Sequence, residues 1–199
     1  MCDNHGMKRI IIVHQWAGSP ESDWYPWLKK QLEAKGCEVI VPAMPDSEHP
    51  KIEPWVETLR QAIGEPDDQT LLIGHSVGCQ TIIRCLASLP GDKKFAGALL
   101  VTPWVTLLPA ALPDEESTAT GKPWLETPID WEAAKKHLPK VAALFSNDDP
   151  YVPMVDTETF NEKLGAQITI LENKGHLTAE EGWTEVPEVL EVIMDWERA

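Results

Sequence analysis

The chain predicts an α/β fold of three layers: a mostly parallel, six-stranded sheet with helices packed on both faces. Three observations lead there. Short apolar runs alternate with amphipathic stretches of helix length along most of the sequence. One of those runs, Thr70 to Ile73, enters the turn Gly74-His75-Ser76-Val77-Gly78, and a helix-capable stretch leaves it at Cys79. Finally, 199 residues with 43% hydrophobic content suffice to cover such a sheet within one core. There is no internal repeat and no linker, so a single domain over residues 1–199 is expected.

Taken in order, the run Arg9–Val13 is followed by the amphipathic Asp23–Lys35, and Glu38–Val41 by Ile52–Ile63. Thr70–Ile73 leads into the helix Gly78–Leu89, after which Gly97–Val101 is the fourth strand. The helix Trp131–His137 precedes the strand Val141–Phe145, Val155–Leu164 precedes Ile168–Leu171, and a helix over Trp183–Glu197 closes the chain. Right-handed crossovers between parallel strands give the expected order 2-1-3-4-5-6. Residues 102–128 break the alternation, with Pro103, Pro109, Pro113, Pro123 and Pro128 around the acidic Asp114-Glu115-Glu116. A segment this long without clear periodicity reads either as a small lid or as an ordered surface loop. As a lid it would line an acyl pocket with Trp104, Val105, Leu107 and Leu108. Trp104 and Trp16 are the two of nine tryptophans expected near a substrate.

Gly-x-Ser-x-Gly between a strand and a helix is the context of a nucleophile elbow. So tight a turn strains the serine backbone, and glycines two residues to either side remove the side chains that would collide. Ser76 Oγ is then expected at the sheet's carboxyl edge, beside a helix N-terminus that favours negative charge. The bland alternative is a serine that only caps the helix. Downstream, Val141 to Phe145 runs into Ser146-Asn147-Asp148-Asp149-Pro150, and Ile168–Leu171 runs into Gly175-His176. A serine, an acid and a histidine, in that order at successive strand ends, match the order in α/β-hydrolases. Asp149 is favoured as the acid, with Asp148 its competitor.

Asp149-Pro150-Tyr151-Val152-Pro153 matches the Asp-x-x-Val-Pro segment that carries the acid in many α/β-hydrolases, and Gly175-His176 matches their histidine loop. With His14-Gln15-Trp16-Ala17-Gly18-Ser19, Met44-Pro45-Asp46 and Ser146 to Pro150, the chain resembles the small serine hydrolases related to retinoblastoma-binding protein 9. The resemblance runs from Arg9 to about Trp196. It implies a minimal, cap-poor hydrolase with the triad Ser76, Asp149 and His176. Gln15 departs from the glycine often found there in the superfamily. The Leu-x-Cys-x-Glu pocket-protein ligand is absent, so that partner is not implied.

In such a site His176 takes the Ser76 proton as Oγ attacks an acyl carbon, and Asp149 fixes the imidazole tautomer. The oxyanion needs backbone donors. Val77 N–H, next to the nucleophile, is one, and the loop after the first strand supplies the other, from Trp16 in preference to Gln15. Trp104 and Leu107 are the candidate substrate contacts. The expected activity is hydrolysis of a small carboxylic ester or related acyl compound; the rival is a hydrolase-like interaction module with a vestigial site.

A net charge of −15 argues against nucleic-acid and anionic-membrane partners. No metal-ligand spacing, phosphate loop or dinucleotide fingerprint is present, so no metal and no cofactor are expected. Cys37, Cys79 and Cys85 read as reduced core thiols of a cytoplasmic protein, and Cys2 has no paired spacing. Cys79, beside the elbow, is expected to be inert. No run is long enough to cross a membrane, and Ile10–Val13 is too short for a signal sequence. Met7 is an alternative start to Met1. His75 is expected to shape its turn, His14 to bond a loop backbone, and His5, His49 and His137 to lie in solvent.

Overall fold

The computed structural model describes residues 7–198. Six parallel strands form one sheet: β1 (Arg9–Val13), β2 (Glu38–Ile40), β3 (Thr70–His75), β4 (Gly97–Val101), β5 (Val141–Ser146) and β6 (Gln167–Leu171). Their spatial order is β2-β1-β3-β4-β5-β6, as expected. The helices are α1 (Tyr25–Glu33), α2 (Ile52–Ile63), α3 (Val77–Ala87), α4 (Glu115–Glu126), α5 (Trp131–Lys135), α6 (Asp156–Leu164) and α7 (Pro187–Arg198).

Successive strand residues point to opposite faces, so each central strand feeds two cores. Ile11, Val13 and Leu72 pack with residues of α2, α3, α5 and α6. Ile10, Ile12, Leu71 and Ile73 pack with residues of α1 and α7. α3 is buried from Val77 through Leu86, which places the turn at its N-terminus in the middle of the sheet's carboxyl edge. The strand order reverses between β1 and β3, and a crevice at such a reversal is where open α/β sheets bind ligands.

Two helix starts differ from the sequence reading for identifiable reasons. Asp23 has φ 54°, which no helix tolerates, so α1 begins at Tyr25 with Pro26 behind it. Residues 179–181 form a short 3-10 turn ended by Gly182 at φ 94°, and Pro187 then opens α7.

Residues 102–128 are more ordered than their pattern suggests. They hold a 3-10 turn at Pro109–Ala111 and then α4. α4 has no readable apolar stripe, because only Gly121 and Trp124 are buried, and Gly121 and Pro123 lower its helix propensity. Other groups hold it. The Asp114 carboxylate accepts from Ser117 N–H at 2.8 Å, capping the first turn. Trp124 Nε1 donates to Pro50 O at 2.8 Å, and its ring meets Trp55 edge-on. At the far end Arg84 of α3 donates to the carbonyls of Trp124, Thr127 and Pro128, which no helical donor reaches.

The histidine readings divide. His137 is buried rather than solvated: its Nδ1 donates to Lys93 O at 2.7 Å, and its own carbonyl accepts from Phe95 N–H, tying down the approach to β4. His49 is half-exposed, between Asp46 and Glu116. His14 acts as expected, with Nδ1 donating to Gln15 O at 2.8 Å and Nε2 accepting from Met44 N–H at 3.1 Å. Cys79 and Cys85 are buried and Cys37 is half-buried; His5 and Cys2 lie outside the described residues. Among the described residues no helix is long and apolar enough to cross a membrane.

Candidate active site

Ser76 follows β3 with φ 54° and ψ −120°, a conformation that costs ~1–3 kcal/mol for a residue with a Cβ. The flanking glycines allow it. A Cβ on Gly74 would lie 2.7 Å from Cys79 Cα, and one on Gly78 would overlap the Val13 carbonyl oxygen. α3 thus starts in backbone contact with β1. The Ser76 side chain does not cap α3. Its Oγ accepts instead from Trp104 Nε1 at 3.2 Å.

Trp104 is itself fixed in place. Its carbonyl accepts from Gln80 Nε2 at 3.1 Å. The next two backbone N–H groups, of Val105 and Thr106, donate to Asp156 Oδ2 at 2.7 and 2.9 Å, while the Thr106 hydroxyl donates to Oδ1. Asp156 is almost wholly buried at the start of α6.

The histidine loop follows β6. The Glu181 carboxylate accepts from His176 N–H at 2.9 Å and from both the N–H and the hydroxyl of Thr178. Its closeness also explains Gly175, at φ 55°, where any Cβ would run into Glu181. His176 Nδ1 lies 2.7 Å from Asp149 Oδ2, with both side chains buried. An ionised carboxylate only accepts, so Nδ1 carries a hydrogen, and in the neutral imidazole the lone pair is then on Nε2. Asp149 Oδ1 accepts from Tyr151 and Val152 N–H at 2.9 and 3.1 Å, which fixes the carboxylate plane.

The two neighbouring acids therefore part company. Asp148 accepts from the Ser146 hydroxyl at 2.7 Å and from Gly175 N–H at 2.8 Å, bonds that hold its carboxyl below the usual range and join the acid loop to the histidine loop. Asp149 alone meets the imidazole. Among the described residues Ser76 and His176 share no hydrogen bond, but both line one cavity, and the Trp104 donor leaves the serine's own hydrogen free. Such bonds are often long or poorly aligned in unliganded hydrolases.

The loop after β1 forms the opposite wall. Gln15 N–H donates to Tyr25 Oη at 3.1 Å, Ala17 N–H to Ser47 O at 2.7 Å and Gly18 N–H to Gln15 O at 3.1 Å. Between them Trp16 N–H has no acceptor among the described residues. Val77 N–H, in the first position of α3, has no partner within its helix.

The cavity measures about 620 Å³ and is lined by Ser76, His176, Trp16, Trp104 and Leu107 among others. Val105 and Leu108 do not line it; Val105 packs on the core instead. The carboxylate-bearing residues on its wall are Asp23, Glu48, Asp114, Glu116, Glu180 and Glu181, and no lysine or arginine is among the lining residues. Cys79 takes no part: burial pushes its thiol well up, and Sγ donates to Val101 O. Burial also raises Cys85, to about 12.

Sequence reasoning missed Tyr25, Asp156 and Glu181. Glu181 had a readable signal, since Thr178 and Glu181 form a capping box. Tyr25 and Asp156 act on partners 50 residues away, His75 and Thr106, and no local pattern shows that.

This arrangement defines an α/β-hydrolase fold with a serine placed at the elbow. The serine hydrolase family profile matches residues 10–195, and the chain belongs to that family. YdeN of Bacillus subtilis is 29% identical over 95% of this chain and 96% of its own length. The crystal structure of the ydeN product superimposes with a TM-score of 0.87 at 26% identity, covering 96% of this chain and 100% of that one. The rat (Rattus norvegicus) serine hydrolase RBBP9 is 26% identical over 94% of this chain and 93% of its own. Est1E of Butyrivibrio proteoclasticus, at 15% identity, shares the fold with a TM-score of 0.68 over 99% of this chain and 91% of that one.

Burial, and then the facing His176 imidazole, hold the His75 pKa down to about 4. An unfolded histidine takes its proton near about 6.5, so between those values the unfolded chain binds more protons and stability rises with pH. The melting temperature should therefore fall as pH is lowered from about 6.5 to about 4, and less steeply in His75→Gln than in wild type. Parallel slopes for the two proteins would contradict this.

Proposed function

We propose that Ser76, His176 and Asp149 act as a catalytic triad that hydrolyses a small carboxylic ester through an acyl-enzyme. The observation that carries this reading is the buried 2.7 Å contact between Asp149 and His176, which turns Nδ1 to the acid and leaves Nε2 as the ring nitrogen for Ser76, the two residues lining one cavity. Ser76 Oγ attacks the acyl carbon while its proton passes to His176 Nε2. Asp149 stabilises the imidazolium, and the proton then goes to the departing alkoxide. Water attacks the acyl-enzyme by the same route and frees the acid. The oxyanion takes its hydrogen bonds from Val77 and Trp16 N–H, with the positive end of α3 behind it.

Trp104 and Leu107 border the acyl group, and residues 102–128, with α4 anchored by Trp124 and Arg84, form a small lid over a single domain. The set of groups is complete and family membership agrees with it, which disfavours the vestigial-module reading. The described cysteines are unpaired, which fits a reducing, cytoplasmic setting.

Turnover of 4-nitrophenyl acetate tests the triad. Ser76→Ala should lose at least about 10³-fold and Asp149→Asn about 10⁴-fold, as loss of tautomer control does elsewhere. Asp148→Asn should stay within about tenfold of wild type, because its bonds go to the loop. Wild-type rates in Ser76→Ala would end the proposal, and a larger loss in Asp148→Asn would move the acid.

The acidic wall bears on the substrate. Six carboxylate-bearing residues line the cavity and no lysine or arginine does, and the lining His49 is flanked by Asp46 and Glu116, so the wall disfavours anionic acyl groups. For esters matched in size and leaving group, a neutral acyl chain should exceed a carboxylate-terminated one in kcat/KM by at least about tenfold at low salt, and added salt should narrow the gap. Equal rates, or a preference for the anion, would contradict this.

A further inference from the structure

His75 is the variable residue of the elbow, and elbow chemistry gives it no task. Its surroundings do. It is wholly buried; Tyr25 Oη lies 2.7 Å from Nδ1, and the carbonyl of His176 lies 2.9 Å from Nε2. A carbonyl only accepts, so Nε2 carries the hydrogen. The neutral ring then accepts at Nδ1, and Tyr25 Oη must donate to it. Tyr25 Oη in turn accepts from Gln15 N–H at 3.1 Å. With Tyr25 Oη beside both His75 and the Asp23 carboxylate, the direction that satisfies His75 Nδ1 is Gln15 N–H to Tyr25, Tyr25 to His75, His75 to the His176 carbonyl.

The two ends of the path lie in the two halves of the proposed site. Gln15 immediately precedes Trp16, and its bond to Tyr25 holds the loop in which Trp16 N–H has no acceptor among the described residues. His176 carries the base. Its N–H is held by Glu181, its ring by Asp149, and its carbonyl by His75. Packing reinforces the path, since the Tyr25 and Trp24 rings meet edge-on and both lie against His75, which is tilted over His176 at 5.5 Å.

We propose that Tyr25 and His75 are positioning residues: one buried hydrogen-bonded path through them fixes the oxyanion loop and the histidine loop relative to each other. The inference rests on the triad reading above. Neither residue touches substrate. A slack of even about 1 Å between base and oxyanion donor can cost about 10²-fold in rate, and it falls on the chemical step rather than on binding.

The test is steady-state ester hydrolysis by Tyr25→Phe, His75→Leu, their double variant and His75→Gln, each checked for wild-type near-UV circular dichroism. Tyr25→Phe and His75→Leu should each lower kcat by about 10- to 100-fold, with KM within about threefold. The double variant should be no worse than about threefold below the poorer single, because both break the same path. His75→Gln keeps a donor and an acceptor at comparable spacing and should recover most of kcat. Losses that multiply, a Tyr25→Phe kcat within about twofold of wild type, or equal defects in His75→Gln and His75→Leu would overturn the proposal. If Tyr25→Phe does not fold, the comparison of Gln with Leu at position 75 decides alone. Ser76→Ala, run alongside, separates the two ideas: if it is inactive while the path variants are unimpaired, only the path fails, and if it is active, the triad reading fails first.

Discussion

The site depends on one steric constraint, the close approach of α3 to β1 at Gly78. Because a side chain there would overlap the Val13 carbonyl, the helix can start against the first strand only with glycine at that position. That approach forces the turn before it, and the turn forces Ser76 into positive φ with Gly74 on its other side. Everything else is assembled around this fixed point. The loop after β1 is brought beside the serine, and Val77 N–H is left without a helical partner at the start of a buried helix.

The loops that complete the site bury Trp104, Val152 and Leu177, and carboxylates fix their backbones. Asp156 gathers the backbone that follows Trp104, Glu181 the backbone of His176 and Thr178, and Asp148 the Gly175 N–H. Asp23 joins the side chain of Gln15 to Ala179 N–H, and all three residues line the cavity. Hydrogen bonds to charged acceptors contribute more than neutral ones, about 1.5–3 kcal/mol each. Several of the chain's 32 acidic residues thus have structural work, which composition alone presents as surface charge.

Much of this was legible in the sequence, and what was not has a common cause. Strand order, a mostly parallel sheet and the placing of Ser76, the Asp148-Asp149 pair and His176 at strand ends follow from local patterns: apolar runs, a Gly-x-Ser-x-Gly turn, and polar groups at strand ends. α4 stayed hidden because a cap, one tryptophan and an arginine from another helix hold it, not an apolar stripe. His137 looked like a surface histidine because its partner, Lys93 O, is 44 residues away. The choice between Asp148 and Asp149 is also tertiary, since both meet the loop after β6 and only Asp149 meets the His176 imidazole. Local sequence shows groups that act on neighbours; groups that act across the fold need coordinates.

The central claim is that Ser76 is an activated nucleophile in an open cavity. Intact mass after exposure to a fluorophosphonate tests it with no assumption about the natural substrate. The account predicts one covalent adduct on the wild-type protein and none on Ser76→Ala under the same conditions. A folded wild-type protein that stays unlabelled, or an adduct that persists in Ser76→Ala, would contradict it.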